Sequence, residues 1–333
     1  MADPRTDRSP SAQPGRELYP LVVLLGPTAS GKSSLALDIA QLFNGEVVNF
    51  DSVQVYRGFD IGTAKLLPIE RGEIPHHLID VVDPGDVFTA GDYAHLGREV
   101  LGQIRGREKL PVLAGGTGFY LRALLNGLFE GPQRDDALRD RLTAAATNKP
   151  PGYLHRLLGQ LDQASSKKIH ANDTPKLIRA IEICLRAGKP MSALWQEGSL
   201  PLEGFAITRL GLDPPREALY EKISARTKAI FHAGLVEEAC ALIKSGVPRK
   251  ARPFGSLGYK QALAHIDGVM ELDEAIEDTA KNTRRYAKRQ MTWFRRDPDV
   301  TWFQGFGDEQ PVIDSAVSFV ETQLTVDPPG QSS

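Results

Sequence analysis

The sequence predicts an α/β fold in which a parallel sheet is flanked by helices and interrupted by an all-helical insertion domain. Short apolar runs alternate with helical patterns between residues 20 and 125, which is typical of parallel strands joined by helices. Strand-like runs disappear between residues 131 and 198, where charged segments with helical spacing replace them. The apolar run Phe205–Leu212 then predicts a strand that returns to the sheet.

The first part of the chain contains four predicted strands, at Leu21–Leu25, Glu46–Asn49, His77–Asp80 and Leu110–Ala114. Helices are predicted between and after them, at Ser33–Phe43, Ala90–Arg105 and Thr117–Leu125. Ligands of such folds bind at the carboxyl ends of the strands. Residues that directly follow a strand are therefore the first candidates for a functional site.

The insertion domain, residues 131–199, contains four predicted helices, at Asp135–Ala146, Pro151–Leu161, Lys176–Arg186 and Ser192–Gln196. Beyond the returning strand, further helices are predicted at Arg216–Ala233, Val236–Lys244, Ser256–Asp267 and Leu272–Arg296. A last strand at Val300–Phe303 and a last helix at Pro311–Leu324 complete the core, residues 19–130 and 200–326. The polar ends, residues 1–18 and 327–333, are interpreted as a disordered leader and a tail.

The bulk composition restricts the class of protein. With 41% hydrophobic and 25% charged residues, the 333-residue chain can bury a core. Its net charge of −2 means that nucleic-acid binding must depend on local basic patches. The two cysteines form no C-x-x-C pair, which argues against a zinc finger or a disulfide framework. Without a secretory signal or an apolar run of the ~20 residues that span a membrane, the expected location is the cytoplasm.

The octapeptide from Gly26 to Ser33 is the most informative motif. It matches the phosphate-binding pattern G-x-x-x-x-G-K-[S/T] at every fixed position and lies between a predicted strand and a predicted helix. The glycines let backbone N–H groups turn toward a phosphate, Lys32 adds a positive charge, and the Ser33 hydroxyl can reach a Mg²⁺ ion. The motif predicts a P-loop NTPase-like fold and a di- or triphosphate site formed by Gly26, Pro27, Thr28, Ala29, Ser30, Gly31, Lys32 and Ser33. The alternative is a glycine-rich turn with an ordinary surface lysine.

Two other strand ends carry candidate residues. Asp51 follows the second strand and is interpreted either as a general base or as a turn or helix-cap residue. The fourth strand ends in Gly115-Gly116-Thr117, where phosphate-hydrolysing relatives of the loop carry an aspartate that helps to hold Mg²⁺. This difference argues against simple nucleotide hydrolysis. Asp80 or Asp83 is left as an acidic metal partner or a turn residue.

The last long helix is strongly basic. Residues 281–296 contain seven cationic side chains, no acidic one, and three aromatic residues, Tyr286, Trp293 and Phe294. Such a segment favours a nucleic-acid backbone with unstacked bases, although a solvated face with aromatic residues in the core is the alternative. A second basic segment, residues 250–260, contains Tyr259, whose ring is a candidate for stacking on a base. His76 and His77 are assigned to structure because no third ligand stands at metal spacing.

Over about residues 20–303, the chain resembles the bacterial form of the tRNA dimethylallyltransferase family. The segments that carry the resemblance are Gly26–Ser33, Asp51–Lys65, His76–Asp80, Gly115–Thr117, Leu177–Glu182, Gly258-Tyr259 and Lys288–Arg295. The Asp51–Lys65 block is highly specific, because nucleotide kinases have the phosphate loop without it. The chain differs from many members at Ser33, which replaces a threonine, and at Pro175-Lys176, which replaces Gln-Arg.

The resemblance implies transfer of the dimethylallyl group from dimethylallyl diphosphate to N6 of an adenine, with release of diphosphate. That adenine lies 3′ to the anticodon in tRNAs that read codons beginning with U. The implied roles are Asp51 as base, Thr117 as an orienting residue, Arg226 as a diphosphate contact, and Ser33 as a ligand of the cofactor Mg²⁺.

The resemblance also implies contacts with tRNA from the core and from the insertion domain, which is expected to clamp the anticodon arm of tRNA, and the protein is expected to act as a monomer. The expected tRNA contacts are Asp51, Ser52, Val53, Gln54, Thr117, Arg139, Pro175, Lys176, Leu177, Ile178, Arg179, Gly255, Ser256, Leu257, Gly258, Tyr259, Lys260 and the segment Lys288–Arg295, with Lys288, Arg289 and Arg295 as its cations. Two other functions stay open from the residues alone. The phosphate loop by itself is compatible with a small-molecule or nucleotide kinase, and the basic helix by itself with a non-catalytic RNA-binding protein.

Overall fold

The computed structural model describes residues 18–129, 131–196, 198 and 200–325. These residues divide into two compact units, one made of the chain up to Leu124 and from Glu203 onward, the other of Leu125–Leu202. Apart from Leu18, the predicted leader and tail lie outside the described residues. None of the helices in the described ranges is long and apolar enough to cross a membrane.

The first unit is built on a six-stranded sheet in which every neighbouring pair is parallel. The strands are β1 (Tyr19–Leu25), β2 (Gly45–Asn49), β3 (His76–His77), β4 (Leu110–Ala114), β5 (Phe205–Leu212) and β6 (Val300–Phe303). Their order across the sheet is β3-β2-β4-β1-β5-β6, so β1 lies between β4 and β5. Val22 of β1 is in register with Val112 of β4 and with Thr208 of β5. The predicted α/β fold with a parallel sheet is confirmed.

Fourteen α-helices lie in the described ranges. In chain order they are α1 (Lys32–Leu42), α2 (Pro68–Arg71), α3 (Ala90–Gly106), α4 (Gly118–Asn126), α5 (Asp136–Asn148), α6 (Tyr153–Leu161), α7 (Gln163–Ser166), α8 (Thr174–Ala187), α9 (Met191–Gln196), α10 (Arg216–His232), α11 (Leu235–Lys244), α12 (Tyr259–Ile266), α13 (Leu272–Phe294) and α14 (Gln310–Thr325). On one face of the sheet, buried residues of α1 and α14 pack on the strands, among them Leu35, Ile39 and Val320.

Two predicted elements have clearly different bounds in the structure, and two short helices were not predicted. β3 ends at His77 rather than Asp80, because Leu78 and Asp80 have φ angles of 60° and 57° and turn the chain away from an extended conformation. The helix predicted from Ser256 begins at Tyr259 and follows a separate 3₁₀ turn at Arg252–Gly255. The short helices α2 and α7 were not predicted, since four residues are too few to show a helical period.

The second unit contains α5–α9 and no β-strand among its described residues. Its core is an apolar cluster that includes Leu142, Leu158 and Ile181. The carboxylate of Asp162 accepts hydrogen bonds from the backbone N–H and the hydroxyl of both Ser165 and Ser192. This buried aspartate therefore joins the start of α7 to α9.

Candidate active site

Three loops meet at one edge of the sheet. The phosphate loop follows β1, Asp51 follows β2 and Thr117 follows β4, and these strands are neighbours in the order β2-β4-β1. Because all three strands are parallel, their carboxyl ends lie at the same edge. The sequence predicted that these residues follow strands of one parallel sheet, and the strand order shows that those strands are neighbours.

The phosphate loop has the backbone geometry that its glycines allow. Gly26 and Gly31 have φ angles of 147° and 85°. A Cβ atom on Gly31 would lie 2.7 Å from the backbone N of Gly307, so this position requires glycine. The segment after β6 supports the loop, because the N–H of Gly307 donates to the carbonyl of Ser30 over 2.8 Å. Nζ of Lys32 donates to the carbonyl of Pro27 over 2.7 Å.

Lys32 lies in an electrostatic environment that disfavours its charged form. Desolvation, with the positive charge of Arg226 as a second cause, lowers the pKa of Lys32 from 10.5 to about 7, although Asp51 opposes the change. Desolvation likewise lowers the pKa of Arg226, again against the charge of Asp51. Arg226 forms no hydrogen bond or ion pair with the residues that the structure describes, so its N–H groups are free to bind an anion. These three groups therefore interact electrostatically with one another.

Asp51 is held by a local turn that leaves one oxygen free. Its Oδ1 accepts hydrogen bonds from the N–H groups of Val53 and Gln54, at 2.8 and 3.4 Å, and its own N–H donates to Oδ1 of Asn49 over 3.0 Å. Within the described residues, Oδ2 accepts no hydrogen bond. One oxygen of Asp51 thus stabilises a turn, as the alternative interpretation expected, while the other remains available to a substrate.

Thr117 fixes the residue next to Asp51. Its N–H donates to the carbonyl of Phe50 over 3.1 Å, and its hydroxyl accepts from the N–H of Ser52 over 3.0 Å and donates to the Ser52 hydroxyl over 3.1 Å. The preceding glycines are needed for this close packing, since a Cβ on Gly115 would lie 2.6 Å from the carbonyl carbon of Phe50. Thr117 is therefore hydrogen-bonded to both residues that flank Asp51.

The structure adds two residues that the sequence interpretation had not assigned to the diphosphate side of the site. Gln290 of α13 accepts a hydrogen bond from the N–H of Thr28 over 2.8 Å and donates to the carbonyl of Gly116 over 2.9 Å. Tyr286, one helical turn earlier, donates to the same carbonyl over 3.1 Å. Burial first, and then the charge of Asp51, raises the pKa of Tyr286. The available signal was the spacing of four residues between Tyr286 and Gln290, which places both side chains on one face of the helix.

The outer face of α13 carries the exposed cations. A surface cavity of about 300 Å³ is lined by Arg285, Lys288, Arg289, Thr292, Trp293 and Arg296. The cations face solvent while Ala287 and Phe294 are buried, as in the alternative of a solvated face, and binding of nucleic acid by this face stays a prediction. Arg295 differs from the other cations, since its guanidinium pairs with the carboxylate of Asp213 at 2.8 Å.

Tyr259 does not present its ring to a base. Its side chain is completely buried, and the ring packs edge-on against Phe59 and Phe254 with centroid separations of 4.9 and 6.3 Å. The hydroxyl donates to Glu238 and accepts from the N–H of Gly62 over 3.2 Å. The prediction that this ring stacks on a base is therefore wrong for this structure. Of its neighbours, Gly255 and Lys260 are exposed, Ser256 and Leu257 are half-buried, and Gly258 is buried.

The two aspartates considered as metal partners are paired with cations. Asp80 accepts from the buried ammonium of Lys65, which also donates to Asp60, and Asp83 pairs with Arg57 at 2.6 Å. In the described ranges, no group of three His, Cys, Asp or Glu side chains is arranged to hold a metal ion. Asp80 instead braces the Asp51–Lys65 loop.

The expected RNA contacts of the second unit differ in their exposure to solvent. Arg139 and Arg179 both bind the fully buried Glu182, at 2.8 and 2.6 Å, while keeping part of each guanidinium exposed. Leu177 and Ile178 are core residues at 1% and 8% exposure, so their side chains are not available to a ligand. Pro175 and Lys176 are exposed.

The chain is similar to known proteins over most of its length. Residues 54–297 match the family model described as IPP transferase. The chain is 54% identical to a tRNA dimethylallyltransferase of Solibacter usitatus, over 90% of this chain and 98% of that protein. It is 52% identical to the protein of the same name from Koribacter versatilis, over 91% and 98% of the two chains.

Solved structures of similar fold carry related descriptions. The full-length tRNA isopentenylpyrophosphate transferase of Bacillus halodurans matches with a TM-score of 0.68 and 36% identity, over 92% of this chain and 96% of that one. A eukaryotic dimethylallyltransferase acting on tRNA matches with a TM-score of 0.80 and 26% identity, over 94% and 81% of the two chains.

Proposed function

The chain belongs to the tRNA dimethylallyltransferase (IPP transferase) family, and from this membership we propose the reaction that it catalyses. The dimethylallyl group of dimethylallyl diphosphate is transferred to N6 of the adenine 3′ to the anticodon, in tRNAs that read codons beginning with U. A new N6–C bond forms, the allylic C–O bond breaks, and diphosphate and one proton leave. The observation that carries the proposal is the convergence of Lys32, Arg226 and the free oxygen of Asp51 beside the phosphate loop.

The phosphate loop and its two cations suit the leaving group. An allylic diphosphate departs with positive character at carbon, while negative charge grows on the diphosphate oxygens. Donors that are already oriented toward that charge stabilise the transition state more than mobile water does. Lys32 and the guanidinium of Arg226 supply such donors, together with the backbone N–H groups of the loop.

Asp51 suits the attacking amine. Its Oδ2 is free to accept a hydrogen bond from N6 and then the proton that the amine loses, while its Oδ1 stays bound to Val53. Thr117 keeps this carboxylate in place through Ser52. To reach the site the adenine must leave its stack, as in other enzymes that modify a base.

Mg²⁺ fits the donors that are present. The Ser33 hydroxyl is on an exposed residue at the start of α1 and forms no hydrogen bond within the described part of the chain. Mg²⁺ in phosphate sites takes one or two protein oxygens and fills the other positions with phosphate oxygens and water. When bound, the ion would neutralise charge on the diphosphate, and Ser33 is the residue that would hold it.

RNA is bound, in this proposal, by cations of both units. In the first unit these are the exposed side chains of α13, including Lys288 and Arg289, and in the second unit Arg139, Arg179 and Lys176. Phosphate contacts of this kind supply affinity and orientation. We further propose that the enzyme works in the cytoplasm as a monomer.

The direct test is incubation with an unmodified anticodon stem-loop, dimethylallyl diphosphate and Mg²⁺, followed by mass analysis of the RNA. The expected result is a gain of one dimethylallyl group on the adenine 3′ to the anticodon. An unchanged RNA mass at saturating donor contradicts the proposal. Labelling of an acceptor that depends on ATP and needs no isoprenoid donor would instead favour a kinase.

A further inference from the structure

Gln290 is a buried polar residue whose side chain spans two walls of the site. It is 5% exposed, on the inner face of a helix whose outer face is cationic. Its carbonyl oxygen accepts from Thr28 of the phosphate loop, and its amide group donates to Gly116 at the end of β4. One side chain therefore links the loop expected to bind the donor to the turn that precedes Thr117.

The link continues from Gly116 to the carboxylate. Thr117 is the next residue, and its hydroxyl binds both the N–H and the hydroxyl of Ser52, which follows Asp51. Gly116 packs closely against this amide, because a Cβ atom there would lie 2.7 Å from Nε2 of Gln290. The distance between the phosphate loop and Asp51 is thus set in part by the length of this glutamine.

The hydrogen bonds explain why an apolar residue would not serve here. A leucine would leave the N–H of Thr28 without an acceptor and would leave Gly116 with Tyr286 alone as donor. A buried backbone group without a partner is costly, so the loop would shift to find one. A shift of that kind changes the geometry of a reaction more than it changes the fold.

We propose that Gln290 is a positioning residue that fixes the diphosphate loop relative to the Asp51 carboxylate, with Tyr286 as the second donor to Gly116. This inference rests on the proposed transfer reaction. It assigns Gln290 to the diphosphate side of the site, although the charged residues beside it on α13 face outward. Gln290 acts through Thr28 and Gly116 and contacts no reacting atom.

The first experiment compares Gln290→Leu with Asn282→Leu. Asn282 lies two turns earlier on α13, and its amide donates only to the carbonyl of Asp278 in the same helix, so it is a matched amide-to-leucine control. For Gln290→Leu we expect the Kd for inorganic diphosphate with Mg²⁺ to rise about tenfold or more, the usual effect of a lost buried hydrogen bond. The Kd for the anticodon stem-loop should stay within about twofold, because the outer face of α13 is unchanged. Asn282→Leu should leave both constants at wild-type values.

A second variant adds a readout that a loss of packing would not move. In Gln290→Glu, the ionised carboxylate still accepts from Thr28 but cannot donate to Gly116, whereas the protonated acid can do both. Burial near Asp51 raises the pKa of such a carboxyl. The transfer rate of the variant, divided by that of the wild type at the same pH, should therefore rise as the pH falls from about 8 to about 6.

The outcomes separate the inference from the proposed function. If the wild type transfers the prenyl group, then equal changes in the diphosphate and RNA affinities of Gln290→Leu, or no change in either, overturn the positioning role. A rate ratio for Gln290→Glu that does not vary with pH also overturns it. If the wild type does not modify the RNA at all, the proposed function itself has failed. Thermal unfolding of each variant, with active protein counted by diphosphate binding at saturation, ensures that only folded enzyme is compared.

Discussion

The guanidinium of Arg226 lies close enough to Lys32 for its positive charge to lower the pKa of this lysine. Desolvation is the larger cause, and the pKa of Lys32 falls to about 7. Two cations from distant parts of the chain, on α10 and in the phosphate loop, therefore interact with each other and with the carboxylate of Asp51. Like charges are held together at a cost that a bound anion removes. The site is therefore electrostatically more favourable with a polyanion bound than when it is empty.

Binding of diphosphate should be accompanied by proton uptake at Lys32. Above pH 7 the free enzyme holds this lysine largely neutral, and a bound anion favours the ammonium form. Calorimetric titrations with inorganic diphosphate at about pH 8.5, in buffers of different ionisation enthalpy, measure the number of protons taken up. Lys32→Met should show none of this uptake. A wild-type enzyme that takes up no proton would contradict the assigned environment of Lys32.

The stability of the ligand-free protein should also depend on pH through the lowered pKa of Lys32. Since the folded-state pKa of Lys32 is about 7 and its ordinary value is 10.5, the unfolded chain binds the extra proton between these values. The free energy of unfolding of the wild type, relative to Lys32→Met, should therefore rise with pH across this window. Urea unfolding at several pH values measures the difference. A difference that falls with rising pH would have the wrong sign.

Asp51→Asn should separate chemistry from donor binding. The substitution keeps the shape and the hydrogen bond from Val53, yet the amide cannot accept the proton from N6. We expect single-turnover transfer to slow by about 10²- to 10⁴-fold, the usual contribution of a general base. The Kd for diphosphate should not rise. Asp83→Asn, at an exposed aspartate paired with Arg57, is the control, and near-normal transfer by Asp51→Asn would disprove its role as base.

Arg289→Gln should weaken RNA binding without a change in donor affinity. Arg289 is exposed on the outer face of α13, where its guanidinium can contact a phosphate. Loss of one such contact should reduce the slope of log K against log salt by about one. Lys244→Gln, at an exposed lysine of α11, should leave the slope unchanged. The same slope in Arg289→Gln as in the wild type would remove this residue from the RNA-binding surface.

Glu182→Gln should destabilise the second unit. Although burial alone would raise the pKa of Glu182, hydrogen bonds from Arg139, the N–H of Asp135 and Arg179 hold it at about 2. Breaking a buried ion pair of this kind costs about 3–5 kcal/mol. This stabilisation should be present above the ordinary pKa of 4.5 and be lost as the pH falls toward 2.

Urea unfolding of Glu182→Gln near pH 7, and again near pH 3, checks both expectations, with the exposed Asp140→Asn as control. The gap in unfolding free energy between wild type and Glu182→Gln should narrow at the lower pH. A gap of the same size at both values would show that the ionised carboxylate is not what stabilises this unit.

The phosphate loop, Asp51 and Thr117 were predictable from the sequence because each depends on a short stretch of chain. Each lies directly after a predicted strand, and a parallel sheet brings the carboxyl ends of its strands to one edge. The family was predictable for the same reason, since the Asp51–Lys65 block is continuous in the chain.

Other features depend on contacts between distant segments, which a local pattern does not contain. The period of α13 shows that the helix has two faces, but only packing against the phosphate loop decides that Gln290 bonds Thr28. The sequence suggests that Tyr259 is an exposed aromatic residue in a basic segment, whereas packing against distant residues such as Phe59, 200 positions earlier, buries it. The sequence by itself determined which charged, polar and aromatic side chains are present near the site. Tertiary packing decided where each side chain points and which group it contacts, because a buried polar atom must find a hydrogen-bond partner among its neighbours.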